Sequence, residues 1–147
     1  MNSYNNKNIL ITGCCGTIGK ELIEQLISSN DYQPSKVIGI DINESGIFFL
    51  NNKYENKNFE FITIDICDRD SLNQIMKGVD VILHCAAMKH VRLNELNPDQ
   101  AIRVNVVGLQ NIISTAISNN VKKVIFTSSD KAVNPTNIMG TSKLLGE

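Results

Sequence analysis

Residues 9–22, ILITGCCGTIGKEL, decide the fold. Ile9, Leu10 and Ile11 form a short continuous apolar run, the pattern of a strand covered on both faces. Gly13, Gly16 and Gly19 follow. Their spacing turns the chain off a strand, lets the backbone approach a pyrophosphate and lets a helix pack closely on the strand. A helix opening near Thr17 and Ile18 then points unpaired N–H groups and the positive end of its dipole at the phosphates. Three glycines alone are common in plain strand-to-helix turns. Their surroundings favour a dinucleotide: an amphipathic helix follows (Leu22, Ile23, Leu26, Ile27), and a second apolar strand, Lys36 to Ile40, closes on Asp41.

An acid in the place of Asp41 accepts hydrogen bonds from the adenosine ribose hydroxyls, and its charge opposes a 2′-phosphate. The next residues, Ile42, Asn43 and Glu44, include no arginine to hold one, so NAD is favoured over NADP. Further along, Glu44 to Leu50 begins a second helix, the Asn-rich segment 51–58 reads as a loop, and Phe59 to Ile64 is a third strand. Asp65 and Ile66 follow it, where an adenine contact is expected. Asp68 reads as an N-cap for a helix that Gly78 ends. Val79 to Leu83 is the fourth strand, running into His84, Cys85, Ala86 and Ala87; small residues there suit close packing or the middle of a cofactor. Pro98 opens a long amphipathic helix with Ala101, Ile102, Val104, Val107, Ile112, Ile113, Ala116 and Ile117 at helical spacing, interrupted by Asn105. Lys123 to Thr127 is the fifth strand, and a last helix starts near Ile138. This alternation predicts an α/β fold, a Rossmann-type doubly wound parallel sheet with right-handed crossovers and strand order 3-2-1-4-5, with the ligand at its carboxyl edge.

At 147 residues the chain is expected to form one dinucleotide-binding domain over 1–147. A net charge of -1 with scattered lysines argues against nucleic acid and anionic membrane surfaces. No apolar run approaches the roughly 20 residues that span a bilayer, and the polar start MNSYNNKN is no signal peptide, so a cytoplasmic protein is expected. The four cysteines are Cys14, Cys15, Cys67 and Cys85. Adjacent cysteines do not present a zinc-site pair and no histidine stands at metal spacing, so no metal site is expected and Cys14 and Cys15 read as small loop fillers. Beside a helix N-terminus, where the thiolate is favoured, they would also make the loop sensitive to oxidation.

A second constellation is Ser128 to Lys143, SSDKAVNPTNIMGTSK, which sets a hydroxyl, an acid and an amine in succession just past a central strand, on the same sheet edge as the glycines. Catalysis is expected there. With TGCCGTIG at 12–19, HCAAMKHV at 84–91 and NPDQAIRVNVVGLQN at 97–111, this stretch resembles the extended short-chain dehydrogenase/reductase family. Within that family it resembles the bacterial UDP-N-acetylglucosamine 4,6-dehydratases of the polysaccharide-biosynthesis branch. The resemblance covers nearly all of this chain but only the N-terminal part of the family's catalytic domain. It implies that the fifth strand lacks its outer neighbour here, and that the chain alone binds cofactor weakly and turns over poorly.

The resemblance implies NAD-linked oxidation of the sugar at C4, loss of the C5 proton to Lys131, protonation of the departing C6 hydroxyl by Asp130, and hydride return to C6. It places Ser129 on the C4 oxygen and Lys143 on the nicotinamide ribose. It places Gly13, Gly16, Thr17, Ile18, Gly19, Asp41, Asp65, Ile66, Ala86, Ala87, Asn105 and Lys143 about the cofactor, with Lys89 and His90 toward the substrate. Met139 departs from the wider family, which has tyrosine there; a thioether is neither acid nor base. A lysine base needs burial or a neighbouring cation, and Lys143 is the candidate neighbour. The expected partner is a UDP-N-acetylhexosamine. A homodimer through the helix at 98–118 and the one near Ile138 is implied by the family. A nucleotide-sugar epimerase and a catalytically inactive NAD-binding module are the alternatives.

Overall fold

In a computed structural model, which describes residues 4–55 and 58–147, five parallel strands lie in the order β3-β2-β1-β4-β5. The strands are β1 (Asn8–Thr12), β2 (Lys36–Asp41), β3 (Phe59–Thr63), β4 (Val81–His84) and β5 (Lys123–Phe126). Ile9 to Thr12 pair with Val37 to Ile40 on one side and with Val81 to His84 on the other. β1 is therefore the central strand, and its end delivers the glycine loop to the middle of the sheet edge. The expected fold class and strand order are those observed. Residues 1–3 of the polar start and residues 56 and 57 of the Asn-rich segment lie outside the described residues.

The helices are α1 (Thr17–Ser28), α2 (Glu44–Lys53), α3 (Arg69–Ile75), α4 (Val91–Leu96), α5 (Pro98–Ile102), α6 (Leu109–Ser118) and α7 (Ile138–Gly146). Two apolar layers cover the sheet. Ile9, Ile11, Cys14, Ile23 and Leu50 belong to one, and Leu10, Ile38, Leu72, Ile82 and Ile112 to the other. Successive β1 residues feed opposite layers, which is why the run reads as continuously apolar. Asp68 caps α3 as expected, accepting from the N–H groups of Asp70 and Ser71. Gly78, at φ 76, takes the left-handed conformation just beyond it.

Three expectations are corrected. Asn51 to Lys53 are helical rather than loop, because the Asn51 amide pairs with both backbone groups of Phe61 on the edge strand (3.0 and 3.3 Å) and so anchors the last turn of α2. The short helix α4 was not anticipated. The helix from Pro98 is not continuous α-helix: a π-helical turn, Arg103–Gly108, separates α5 from α6. Its wider winding resets the helical phase. Ala101, Ile112 and Ala116 are accordingly buried while Ile102, Val107, Ile113 and Ile117 are exposed. The edge strand β5 leaves Val124 and Ile125 more than a third exposed. Among the described residues no helix is long and apolar enough to cross a membrane.

Candidate active site

A cleft of about 390 Å³ opens at the carboxyl edge of the sheet, where the strand order reverses about β1. Gly13, Gly16, Thr17, Ile18, Gly19, Asp41, Asp65, Ile66, Ala86, Ala87 and Lys89 line it. The glycine loop fits a dinucleotide for steric reasons. Gly13 has φ 71, and a Cβ there would stand 2.7 Å from the backbone nitrogen of Ala86. A Cβ on Gly19 would strike the carbonyl oxygen of Gly13. The loop thus lies flat against the end of β4, and the first turn of α1 opens directly onto it, leaving a phosphate free access to backbone N–H groups.

Asp41 closes the far side. Its two carboxylate oxygens accept from the backbone N–H groups of Cys15 and Asn43, each at 3.0 Å, so one acid both braces the glycine loop and faces the cleft. Asp65 accepts from Cys67 N at 2.8 Å and stands 3.7 Å from the Arg103 guanidinium.

The sequence did not single out Ile42, Met88, Gln100 or Val104, which also line the cleft. Gln100 and Val104 are one helical turn apart, a spacing that puts two side chains on one face. That was the signal available.

Asn105 does not line the cleft. It is buried, accepts from Met88 N at 2.8 Å, and donates to Met88 O at 3.0 Å and Ser142 Oγ at 2.9 Å. It fixes the segment after β4 against α7, so its link to a cofactor runs through that segment. His90 is exposed; it precedes α4, and its carbonyl accepts the Asn94 N–H at 3.0 Å and the Asn94 side chain at 2.8 Å.

After β5, Ser129 caps a short 3-10 turn, Asp130–Ala132, so that Ser129, Asp130 and Lys131 stand together outside the cleft lining but on the same sheet edge. Ser129 Oγ donates to Asp130 Oδ1 at 3.0 Å and accepts the Lys131 N–H at 3.2 Å, while Lys131 Nζ stands 3.3 Å from the same carboxylate. The hydrogen bond from Ser129 and the Lys131 ammonium hold the Asp130 carboxyl below its ordinary range.

The two lysines lie in opposite environments. Lys131 is 46% exposed at its side chain and paired with an acid, neither buried nor set against a cation. Lys143 is 5% exposed, donates to Thr127 O at 2.8 Å and lies 4.6 Å over the Phe126 ring. Burial pushes its ammonium down. Met139, one turn earlier, is buried as well.

The thiols fit the reading as small fillers, and it is the thiolate expectation that the structure corrects. Cys14 is fully buried, and both it and Cys15 are pushed up, first by burial and then by neighbouring negative charge that includes Asp41; the helix N-terminus does not make them thiolates.

The family model described as polysaccharide biosynthesis protein matches residues 9–147. The chain belongs to this family. An uncharacterized membrane protein of Methanocaldococcus jannaschii is 43% identical over 146 residues, covering 99% of this chain and 43% of that protein. A UDP-N-acetylglucosamine 4,6-dehydratase (inverting) of Campylobacter jejuni is 38% identical over 98% of this chain and 42% of its own length. A UDP-glucose 4-epimerase of Rickettsia prowazekii is also 38% identical, over 97% and 42%. The chain therefore spans about two fifths of the curated relatives it matches. Among solved structures, Pen from Bacillus thuringiensis superposes with a TM-score of 0.92 at 38% identity, over 98% of this chain and 44% of that one. A dTDP-glucose 4,6-dehydratase from Streptomyces venezuelae, solved with NAD bound, superposes with a TM-score of 0.80 at 25% identity, over 95% and 49%.

Proposed function

We propose that this chain is the NAD-binding part of a nucleotide-sugar 4,6-dehydratase acting on a UDP-N-acetylhexosamine. The observation that carries the reading is the linked hydroxyl, carboxylate and ammonium of Ser129, Asp130 and Lys131, set on the same sheet edge as the glycine cleft. Eliminating water across C5 and C6 needs an acid and a base together, whereas inverting C4 alone does not. The dehydratase relative supports this reading; the epimerase relative, equally similar, supports the alternative.

The cleft fits a dinucleotide by its flat glycine loop and by Asp41, with no arginine at 42–44 to receive a 2′-phosphate; the NAD-bound neighbour agrees with that choice. Gly13, Gly16 and Thr17 hold the pyrophosphate, Asp41 the adenosine ribose and Lys143 the nicotinamide ribose. The chemistry that bound NAD supplies is reversible hydride acceptance, from C4 of the sugar and back to C6. Ser129 holds the C4 oxygen. With C4 a ketone, Lys131 removes the acidified C5 proton and Asp130 protonates the departing C6 hydroxyl; return of a proton to C5 completes the product. In this structure Asp130 and Lys131 neutralise one another. A substrate seated against the turn would separate the pair and free both groups to act on it. Met139 contributes no proton, so exchange at the C4 oxygen falls to Ser129 and Lys143.

The test is titration with NAD and NADP, followed by UDP-N-acetylglucosamine with mass analysis of the sugar. Loss of one water, abolished by Lys131→Ala, is the expected outcome. An isomer of unchanged mass favours the epimerase, and absence of nucleotide binding by the folded chain overturns the reading.

A further inference from the structure

Two thiols and a carboxylate meet beside the glycine loop. The sulfur atoms of Cys14 and Cys15 and a carboxylate oxygen of Asp41 all lie within 4.8 Å of one another, although adjacent cysteines were not expected to present a pair. The main chain holds the carboxylate in place through the N–H groups of Cys15 and Asn43. Two glycines that the nucleotide motif does not use make room for the cysteine side chains. A Cβ at Gly39 would stand 3.0 Å from the Cys14 Cβ, and one at Gly46 would stand 2.6 Å from the Cys15 sulfur.

As anions the three groups repel one another: Asp41 raises both thiols, and Lys20 offsets part of this at Cys15. A cation bound among them would relieve that repulsion. Two sulfurs and one oxygen match the donor set of a thiophilic divalent ion. Metal–sulfur bonds of about 2.3 Å and metal–oxygen bonds of about 2.1 Å in a tetrahedron set the donors roughly 3.5–3.8 Å apart, so the cluster needs to close by about 1 Å.

We propose that Cys14, Cys15 and Asp41 bind a thiophilic divalent cation of the zinc and cadmium class, and that this cation competes with the cofactor for Asp41. The competition rests on the NAD-binding reading above; the metal site does not. Binding exchanges two thiol protons for one cation, forms two metal–sulfur bonds and one metal–oxygen bond, and changes no oxidation state. The ion would sit where Asp41 otherwise meets the ribose, so the loop would admit one or the other.

Cadmium(II) alone is the probe, titrated into the chain in a buffer free of thiols and chelators. The expected result is a thiolate-to-cadmium charge-transfer band in the ultraviolet, saturating at one ion with release of two protons. Cys15→Ser should abolish the band and weaken binding at least tenfold, while Cys67→Ser combined with Cys85→Ser should retain both. Cys14→Ser is read only if circular dichroism shows it folded, since that side chain is in the core; the half-buried Cys15 carries the test otherwise. A band that survives Cys15→Ser, a band lost with Cys67 and Cys85, or no saturable uptake overturns the site. Saturating cadmium should weaken NAD binding at least tenfold in the parent chain and leave Cys15→Ser unaffected; equal NAD affinity with and without cadmium overturns the competition. A chain that takes cadmium through these cysteines but binds no nucleotide upholds the metal site and overturns the cofactor reading instead.

Discussion

Thr12 and His84 face each other across the ladder between β1 and β4, with the threonine hydroxyl 2.6 Å from the imidazole Nδ1. The backbone N–H of Ala86 donates to the same hydroxyl at 3.2 Å. The threonine hydroxyl thus ties the end of β1 both to the imidazole and to the main chain just past β4. The clasp lies directly beneath the point where Gly13 meets Ala86, so it sets the height of the glycine loop over the sheet edge.

Acid should open this clasp. Burial, and secondarily the Lys143 ammonium, push the His84 imidazole down to about 4. An unfolded histidine takes its proton near 6.5, so the unfolded chain binds it first and unfolding becomes easier as pH falls across that window. Stability should rise from about pH 4 to pH 6.5, and the gap corresponds to roughly 3 kcal/mol for a side chain 1% exposed. Urea unfolding at stepped pH checks this: His84→Asn, which keeps an acceptor for Thr12 but cannot ionise, should lose that part of the slope. An identical slope in both proteins would refute the assignment.

Asn105→Leu strands the Met88 N–H, whereas the Met88 carbonyl keeps a longer bond from the Asn94 side chain (3.4 Å) and the Ser142 hydroxyl keeps its own to Met139 O (2.8 Å). The expected loss is roughly 1–3 kcal/mol by denaturant midpoint, the cost of one unpaired buried group. NAD affinity should fall as well, because Met88 lines the cleft. Unchanged stability would mean that the amide is not the tie it looks to be.

Gly140→Ala tests the turn proposed to be catalytic without changing any of its residues. A Cβ there would strike the carbonyl oxygen of Lys131, a backbone atom with no rotamer to retreat into. The turn bearing Ser129 to Lys131 must shift, at a cost of about 1–3 kcal/mol in thermal stability. NAD binding should survive while water elimination falls at least a hundredfold. Full turnover in a normally stable variant would show that the turn's position is not critical.

Asp41→Asn removes a charge while keeping a side-chain oxygen for the loop. NAD affinity should drop at least tenfold and the preference over NADP should narrow, because the repulsion of a 2′-phosphate goes with the charge. Isothermal titration with both nucleotides decides it. Retention of the full preference would move cofactor choice to another residue.

Much of the glycine cleft was legible because its parts are close in sequence and have a repetitive grammar. Gly13, Gly16 and Gly19 span a single turn, and Asp41 stands at the end of the next strand. The long helix was misread at Arg103–Gly108 because a π-helical turn leaves no mark in a 3.6-residue pattern. The environments of the lysines were illegible for a different reason: Lys131 and Lys143 look alike in sequence, and what separates them is Phe126 beneath one and solvent around the other.

By itself the sequence determined the order of strands and helices and, through short crossovers of one hand, the 3-2-1-4-5 sheet. Apolar spacing tells which face of an element turns inward, and that suffices for topology. Only the tertiary structure decided what lies opposite each polar group: His84 against Thr12, 72 residues away, Asn105 against Met88, and Cys14 and Cys15 against Asp41. Hydrogen bonds and charge interactions act over a few ångströms, so a side chain's partner and ionisation are set by whichever distant segment the packing brings within reach.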